Sequence, residues 1–178
     1  MAAIRFESIF EAFDPNKQSP KVFHALMDQI PLEELLQPVY RLSAKLGRNA
    51  FHHLAVCDRG HLIPKKYRTL ELFQIQDGLG DTLFHAMVRK NSTSIPRHLR
   101  TLENFKFADA KGETLLETIH HWSRQQTLLP PYCDEAAAEM SPAERQAWLD
   151  ALTPYKTPPI VLARLMNHVE PTGAWRKL

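Results

Sequence analysis

The 178 residues are 44% hydrophobic and 24% charged with a formal net charge of +2, which is the composition of one globular domain and argues against a disordered chain. No run approaches the roughly 18 apolar residues of a membrane span, and Glu7, Glu11 and Asp14 interrupt the segment where a secretory signal would need an apolar core. Cys57 and Cys133 show no CxxC or Cys/His metal spacing, which argues against a disulfide scaffold and suits a reducing compartment.

In chain order, Ile4, Phe6, Ile9, Phe10 and Phe13 make an apolar face at helical spacing, so residues 1–14 are predicted to form an N-terminal capping helix. From about residue 15 the chain repeats itself. Ile30-Pro31, Ile63-Pro64, Ile95-Pro96 and Leu129-Pro130 recur at intervals of 33, 32 and 34 residues, and a proline ahead of an apolar periodic run reads as the first position of a helix. Residues 63–71 and 95–103 share both the Ile-Pro opening and a closing Arg-Thr-Leu-Glu.

A second marker follows each of these segments. Phe73-x-Ile75-x-Asp77-x-x-Gly80 returns as Phe105-x-Phe107-x-Asp109-x-x-Gly112, with a weaker echo at Tyr40-x-Leu42-x-Ala44-x-x-Gly47. Alternating apolar residues ending in Asp and Gly predict an extended segment entering a turn, because Gly accepts positive φ and Asp bonds the local backbone. The third marker is the helix opening after each glycine: Gly80-Asp81-Thr82-Leu83-Phe84-His85, Gly112-Glu113-Thr114-Leu115-Leu116-Glu117 and Gly47-Arg48-Asn49-Ala50-Phe51-His52, with Ser19-Pro20-Lys21-Val22-Phe23-His24 as a looser copy. Thr82, Thr114 and Asn49 are capping types. The predicted unit is therefore finger, helix, short loop, helix. Beyond the repeats, Ser141-Pro142-Ala143-Glu144 is a capping box ahead of Trp148, Leu149 and Leu152, and a last helix is expected from Pro159 until Pro171 and Gly173 stop it. Residues 133–178 are expected to pack on the last repeat as a helical cap, since an uncapped stack leaves one apolar face in water.

At these residues the chain resembles the ankyrin repeat, whose unit of about 33 residues carries a Gly-x-Thr-x-Leu-His-x-Ala core. The resemblance spans residues 15–132, divided as 15–46, 47–79, 80–111 and 112–132. Leu83, Leu115 and Ala50 stand where the family usually has proline, Glu117 replaces the histidine, and the first copy has a shortened inter-helix loop. The resemblance implies an all-α, ankyrin-like helical-repeat solenoid with short β-turn fingers, in which His24, His52 and His85 hydrogen-bond between repeats. It also implies a protein partner held at the finger tips and first helices, at Lys45, Arg48, His53, Gly78, Leu79, Asp81, Lys111 and Glu113.

Chemistry is sparse by comparison. The pairs His52-His53 and His120-His121 put adjacent residues about 100° apart on a helix, and there is no HExxH, P-loop, GxGxxG or nucleophile elbow. No catalytic residue, metal or cofactor is assigned, and the chain is read as a non-enzymatic protein-binding module, monomeric alone and cytoplasmic. A bacterial effector delivered into a host cell to act on host proteins fits the same style of sequence. Charge supplies the alternative. Residues 41–68 hold seven Lys/Arg against Asp58, whereas residues 134–150 hold five acids against Arg145. Lys65, Lys66, Arg68, Arg97 and Arg100 are expected in the first turns of helices, where cations oppose the macrodipole and would suit an anion, a phosphate or a nucleic acid. The small net charge and the lack of interleaved aromatics disfavour nucleic acid. An enzyme, or a regulator of one, is the third reading.

Overall fold

The computed structural model describes residues 5–40, 45–90, 95–121 and 139–155, and these are helical, with no strand among them. In order they form α1 (Phe6–Ala12), α2 (Pro20–Met27), α3 (Leu32–Leu35), α4 (Ala50–Val56), α5 (Leu70–Phe73), α6 (Leu83–Arg89), α7 (Leu102–Phe105), α8 (Leu115–His121) and α9 (Pro142–Leu152). Short 3₁₀ turns occupy Gly60–Leu62, Lys65–Tyr67 and Arg97–Leu99. Ile4, Arg41, Leu42, Ala44, the Leu129-Pro130 pair, Cys133, Asp134, Glu135 and the helix expected from Pro159 lie outside the described residues. None of the described helices is long and apolar enough to cross a membrane.

Apart from α9, each helix has only four to eight residues, too few to persist alone in water, so capping and packing must hold them. Caps come from the sequence as expected. Asn49 accepts from Phe51 and His52 N–H, Thr82 from His85 N–H, and Ser141 and Glu144 form the reciprocal box that opens α9. Packing centres on α6, whose residues 83–88 are all buried, as a helix covered on every side requires. It lies against α4 on one side and α8 on the other, while α5 packs on α6 and α7 on α8. Phe73 and Phe84 meet edge to face at 5.0 Å inside this cluster, each contributing about 2–3 kcal/mol by burial. At the ends, α1 packs on α2, with the Phe13 and Phe23 rings 5.0 Å apart, and Trp148 of α9 meets Phe105 at 5.7 Å.

One expectation needs correcting. The Ile-Pro pairs do not place proline at the first position of a helix. Pro31 is the residue before α3, and Pro64 and Pro96 are extended residues (ψ 146° and 141°) ahead of 3₁₀ turns. The α-helices that follow begin six residues after those two prolines, where Thr69 and Thr101 accept from Leu72 and Asn104 N–H. A hydroxyl that caps an open N–H outcompetes a proline that merely tolerates the position. Lys65, Lys66 and Arg97 therefore lie in 3₁₀ turns, and Arg68 and Arg100 just after them, instead of in first α-helical turns.

Candidate functional site

The joints between units are built twice on one plan. Asp77 Oδ1 accepts from Leu79 N–H (2.8 Å) and Asp81 N–H (3.1 Å), and Gly80 turns the chain at φ +83°. Asp109 Oδ1 accepts from Lys111 N–H (2.8 Å) and Glu113 N–H (3.0 Å), and Gly112 turns it at φ +81°. A single antiparallel bridge closes each loop, Gln76 with Thr82 and Ala108 with Thr114. Side chains that bond the backbone two and four residues on make this turn a local property of Asp-x-x-Gly.

Neighbouring joints are then tied together. Gly78 N–H donates to Leu46 O at 2.6 Å, and Ala110 N–H donates to Gly80 O at 3.0 Å. The approach is close enough that a Cβ on Gly78 would sit 2.8 Å from Leu46 O, and one on Gly80 would collide with the Ala110 side chain. The buried histidines add a second tie. His85 Nε2 donates to Glu113 O (3.1 Å) while its Nδ1 lies 2.6 Å from Thr82 Oγ1, and His52 Nε2 donates to Ile75 O (3.1 Å). Burial pushes both histidines below their ordinary pKa, against the raising pull of Asp109 on His85 and of Asp77 on His52. His24, in the same sequence slot, leaves its buried Nε2 without a hydrogen bond among the described residues.

Charge at the joints is largely consumed internally. Arg48 Nε donates to Asp77 Oδ2 at 3.0 Å. Arg89, at the end of α6, stands against Asp81, reaches Asp109 Oδ2 at 3.3 Å and Glu113 Oε2 at 2.8 Å, and is joined by Lys111 on Asp81 (3.5 Å) and His121 on Glu113 (2.9 Å). Burial would lower the Arg89 pKa, but the hydrogen bonds and charges of Asp81 and Glu113 raise it overall. Burial opposes ionisation of Asp109 and Glu113 as well. The Glu113 and Lys111 N–H groups on Asp109, and His121 and Arg89 on Glu113, outweigh it and hold both carboxyls below their ordinary values.

Arg89 is the residue that sequence reading missed. Val56 and His121 occupy its slot in the adjacent units, so no repeat pattern marks it. The available signal was the set of three acids, Asp81, Asp109 and Glu113, that needed a counter-charge in their midst.

The eight expected contact residues therefore divide. Lys45, Gly78, Leu79 and Lys111 are exposed. Arg48 and Glu113 are half-buried in ion pairs, and Asp81 is only 4% exposed. His53 is covered by α1: it stacks on Tyr40 at 4.4 Å and takes the edges of Phe10 and Phe6 at 4.7 and 6.2 Å. Of the basic residues, Lys66 pairs with Asp28 at 2.8 Å, Arg68 bonds the Ile63 and His61 carbonyls, and Arg100 bonds the Ile95 carbonyl. Lys65 and Arg97 are exposed.

Cys57 and His53 face each other at 3.6 Å, and burial raises the thiol pKa even though Arg59 and Lys90 pull it down, so the thiol stays protonated at neutral pH. Among the described residues no group of three or more His, Cys, Asp or Glu side chains is arranged to hold a metal ion. No family model matches the chain, and neither a curated protein nor a solved structure does.

Proposed function

We propose that this chain is a non-enzymatic protein-binding module, an ankyrin-like solenoid of residues 15–132 with helical caps at 1–14 and 133–178. It takes its partner on the row of joint tips and the first helices beside them. The observation that carries the reading is the row itself: the joints at Gly80 and Gly112, bonded edge to edge and with Leu46 tied to the first, present Lys45, Gly78, Leu79 and Lys111 to solvent, while the acids beneath are already matched by Arg48 and Arg89. Leu79 supports it further as one of the few large hydrophobic side chains left exposed among the described residues, at 44%. A rigid row with its own charges satisfied presents shape and apolar surface at little ordering cost, which favours a folded or extended protein segment as ligand. On this reading a bacterial origin would make the chain an effector acting on host proteins, and a translocation reporter fused to it would give signal in a secretion-competent strain.

The test is affinity capture from host and bacterial lysates with wild type and the variant Lys45→Glu/Leu79→Ser side by side. Proteins captured by the wild type are lost from the variant, whose melting temperature stays within a few degrees because the changed side chains are exposed. Equal capture by both overturns the placement of the contact surface.

A further inference from the structure

Beyond the C-terminal ends of α4 and α6, away from the joint loops that lead into those helices, two 3₁₀ turns form a second surface. The turns Lys65–Tyr67 and Arg97–Leu99 are structural copies. Their flanking prolines have φ −59° and −58°, Arg68 and Arg100 leave them at ψ 55° in both, and each arginine donates its Nε–H to the isoleucine carbonyl five residues back at 2.9 Å. His98 Nε2 donates to the Arg68 carbonyl at 3.0 Å, which sets the two turns side by side. On the other flank, the ion pair of Lys66 with Asp28 ties the first turn to the segment that leads into α3 and its first residue, Leu32.

Leu32, Lys65 and Arg97 are each the residue directly after an Ile-Pro pair, so they fall in register across three units. All three side chains are exposed, Leu32 at 43%, and Lys65 and Arg97 have no ion-pair partner among the described residues. The acids nearest in sequence do not neutralise them. Glu71 and Glu103 sit in the first turns of α5 and α7, where the helix dipole holds them, and Glu71 also bonds Thr69.

The geometry points to a docking strip for an acidic peptide segment of a partner protein, with one carboxylate on Lys65, a second on Arg97 and an apolar side chain on Leu32. Packed neighbouring helices lie about 10 Å apart, which sets the spacing from unit to unit. A polyproline-II segment rises about 3.1 Å per residue and turns once every three residues, so positions i, i+3 and i+6 share one face and the matching pattern is apolar-x-x-acid-x-x-acid. A nucleic acid fits less well. Its next phosphates along the strip would meet Glu33 and Glu34 at the start of α3, and the two cations alone neutralise too little of a polyphosphate.

The strip shares no residue with the joint tips, so its test is independent of theirs. The probe is a fluorescein-labelled peptide Leu-Ser-Ser-Glu-Ser-Ser-Glu, read by anisotropy at low salt against the full chain, with a Glu-to-Gln peptide, a Leu-to-Ser peptide and an oligo(dT) as comparators. The acidic peptide binds, its affinity drops about tenfold in Lys65→Glu/Arg97→Glu, and a Glu-to-Lys peptide then prefers that variant over the wild type. Leu32→Ser weakens the first peptide and leaves the Leu-to-Ser peptide unchanged. Lys65→Gln/Arg97→Gln repeats the loss without reversing charge, and circular dichroism verifies the fold of each variant. Equal binding of the Gln peptide, indifference to both double variants, or preference for oligo(dT) lost in those variants overturns the proposal.

Discussion

The joints at Gly80 and Gly112 have the same backbone, with φ of +83° and +81°, the same aspartate bonding two N–H groups, and the same single bridge. They differ in what stands next to them. A Cβ on Gly80 would collide with Ala110, whereas one on Gly112 meets no atom of the described residues within 4 Å. The residue in the histidine slot follows suit. His85 bonds onward to Glu113 of the next unit, while Glu117 turns back and accepts from Thr114 N–H (2.6 Å) and Oγ1 (2.8 Å), with its own N–H donating to Thr114 Oγ1. One local turn thus serves two purposes, and the neighbour decides which.

The glycines give the largest contrast. Alanine at either position must hold a positive φ, worth about 1–2 kcal/mol. At Gly80 the overlap with Ala110 adds to that, for a total of about 4 kcal/mol. Urea unfolding of Gly80→Ala and Gly112→Ala measures the gap, and equal losses would break the distinction between an occupied and an open flank. Arg89→Met comes next. It strips the counter-charge from Asp109, whose side chain is fully buried, leaves Asp81 with Lys111 alone, and lowers stability by about 3 kcal/mol. Substituting Arg145, whose side chain bonds the Met140 carbonyl, is the control with little effect.

The smallest effect is in pH. His52 and His85 are held below their ordinary pKa by burial, so between that lowered value and about 6.5 the unfolded chain binds more protons than the folded one. Their contribution is complete above about pH 6.5 and is lost as pH falls toward the folded values. Asp109 and Glu113 are depressed as well, and they withdraw their share only below the ordinary carboxylate range, near pH 4. Denaturation midpoints at pH 7.5 and 5.5 therefore differ in the wild type and differ less in His85→Gln.

Much of this was legible residue by residue. The caps Asn49, Thr82 and Ser141 act where their types and spacing put them, and Asp77, Gly80, Asp109 and Gly112 turn the chain as an Asp-x-x-Gly run should. The starts of α5 and α7 fall at Thr69 and Thr101 and not at the Ile-Pro pairs, because each threonine hydroxyl accepts from an open N–H of the first turn and proline offers no such acceptor. His53 and Asp81 were placed at the surface by position in the repeat. In the fold α1 covers the first, and Arg89 with Lys111 closes over the second.

By itself the sequence determined the helical class, the capped helix starts and the glycine turns, because each rests on bonds within a few residues. Tertiary structure alone decided which joint is clamped, which acids are spent on Arg89 and which of the candidate contacts remain in solvent. Those outcomes depend on side chains about twenty to thirty residues apart, such as Arg48 with Asp77 and His85 with Glu113, whose meeting is set by how the units pack and not by any local pattern.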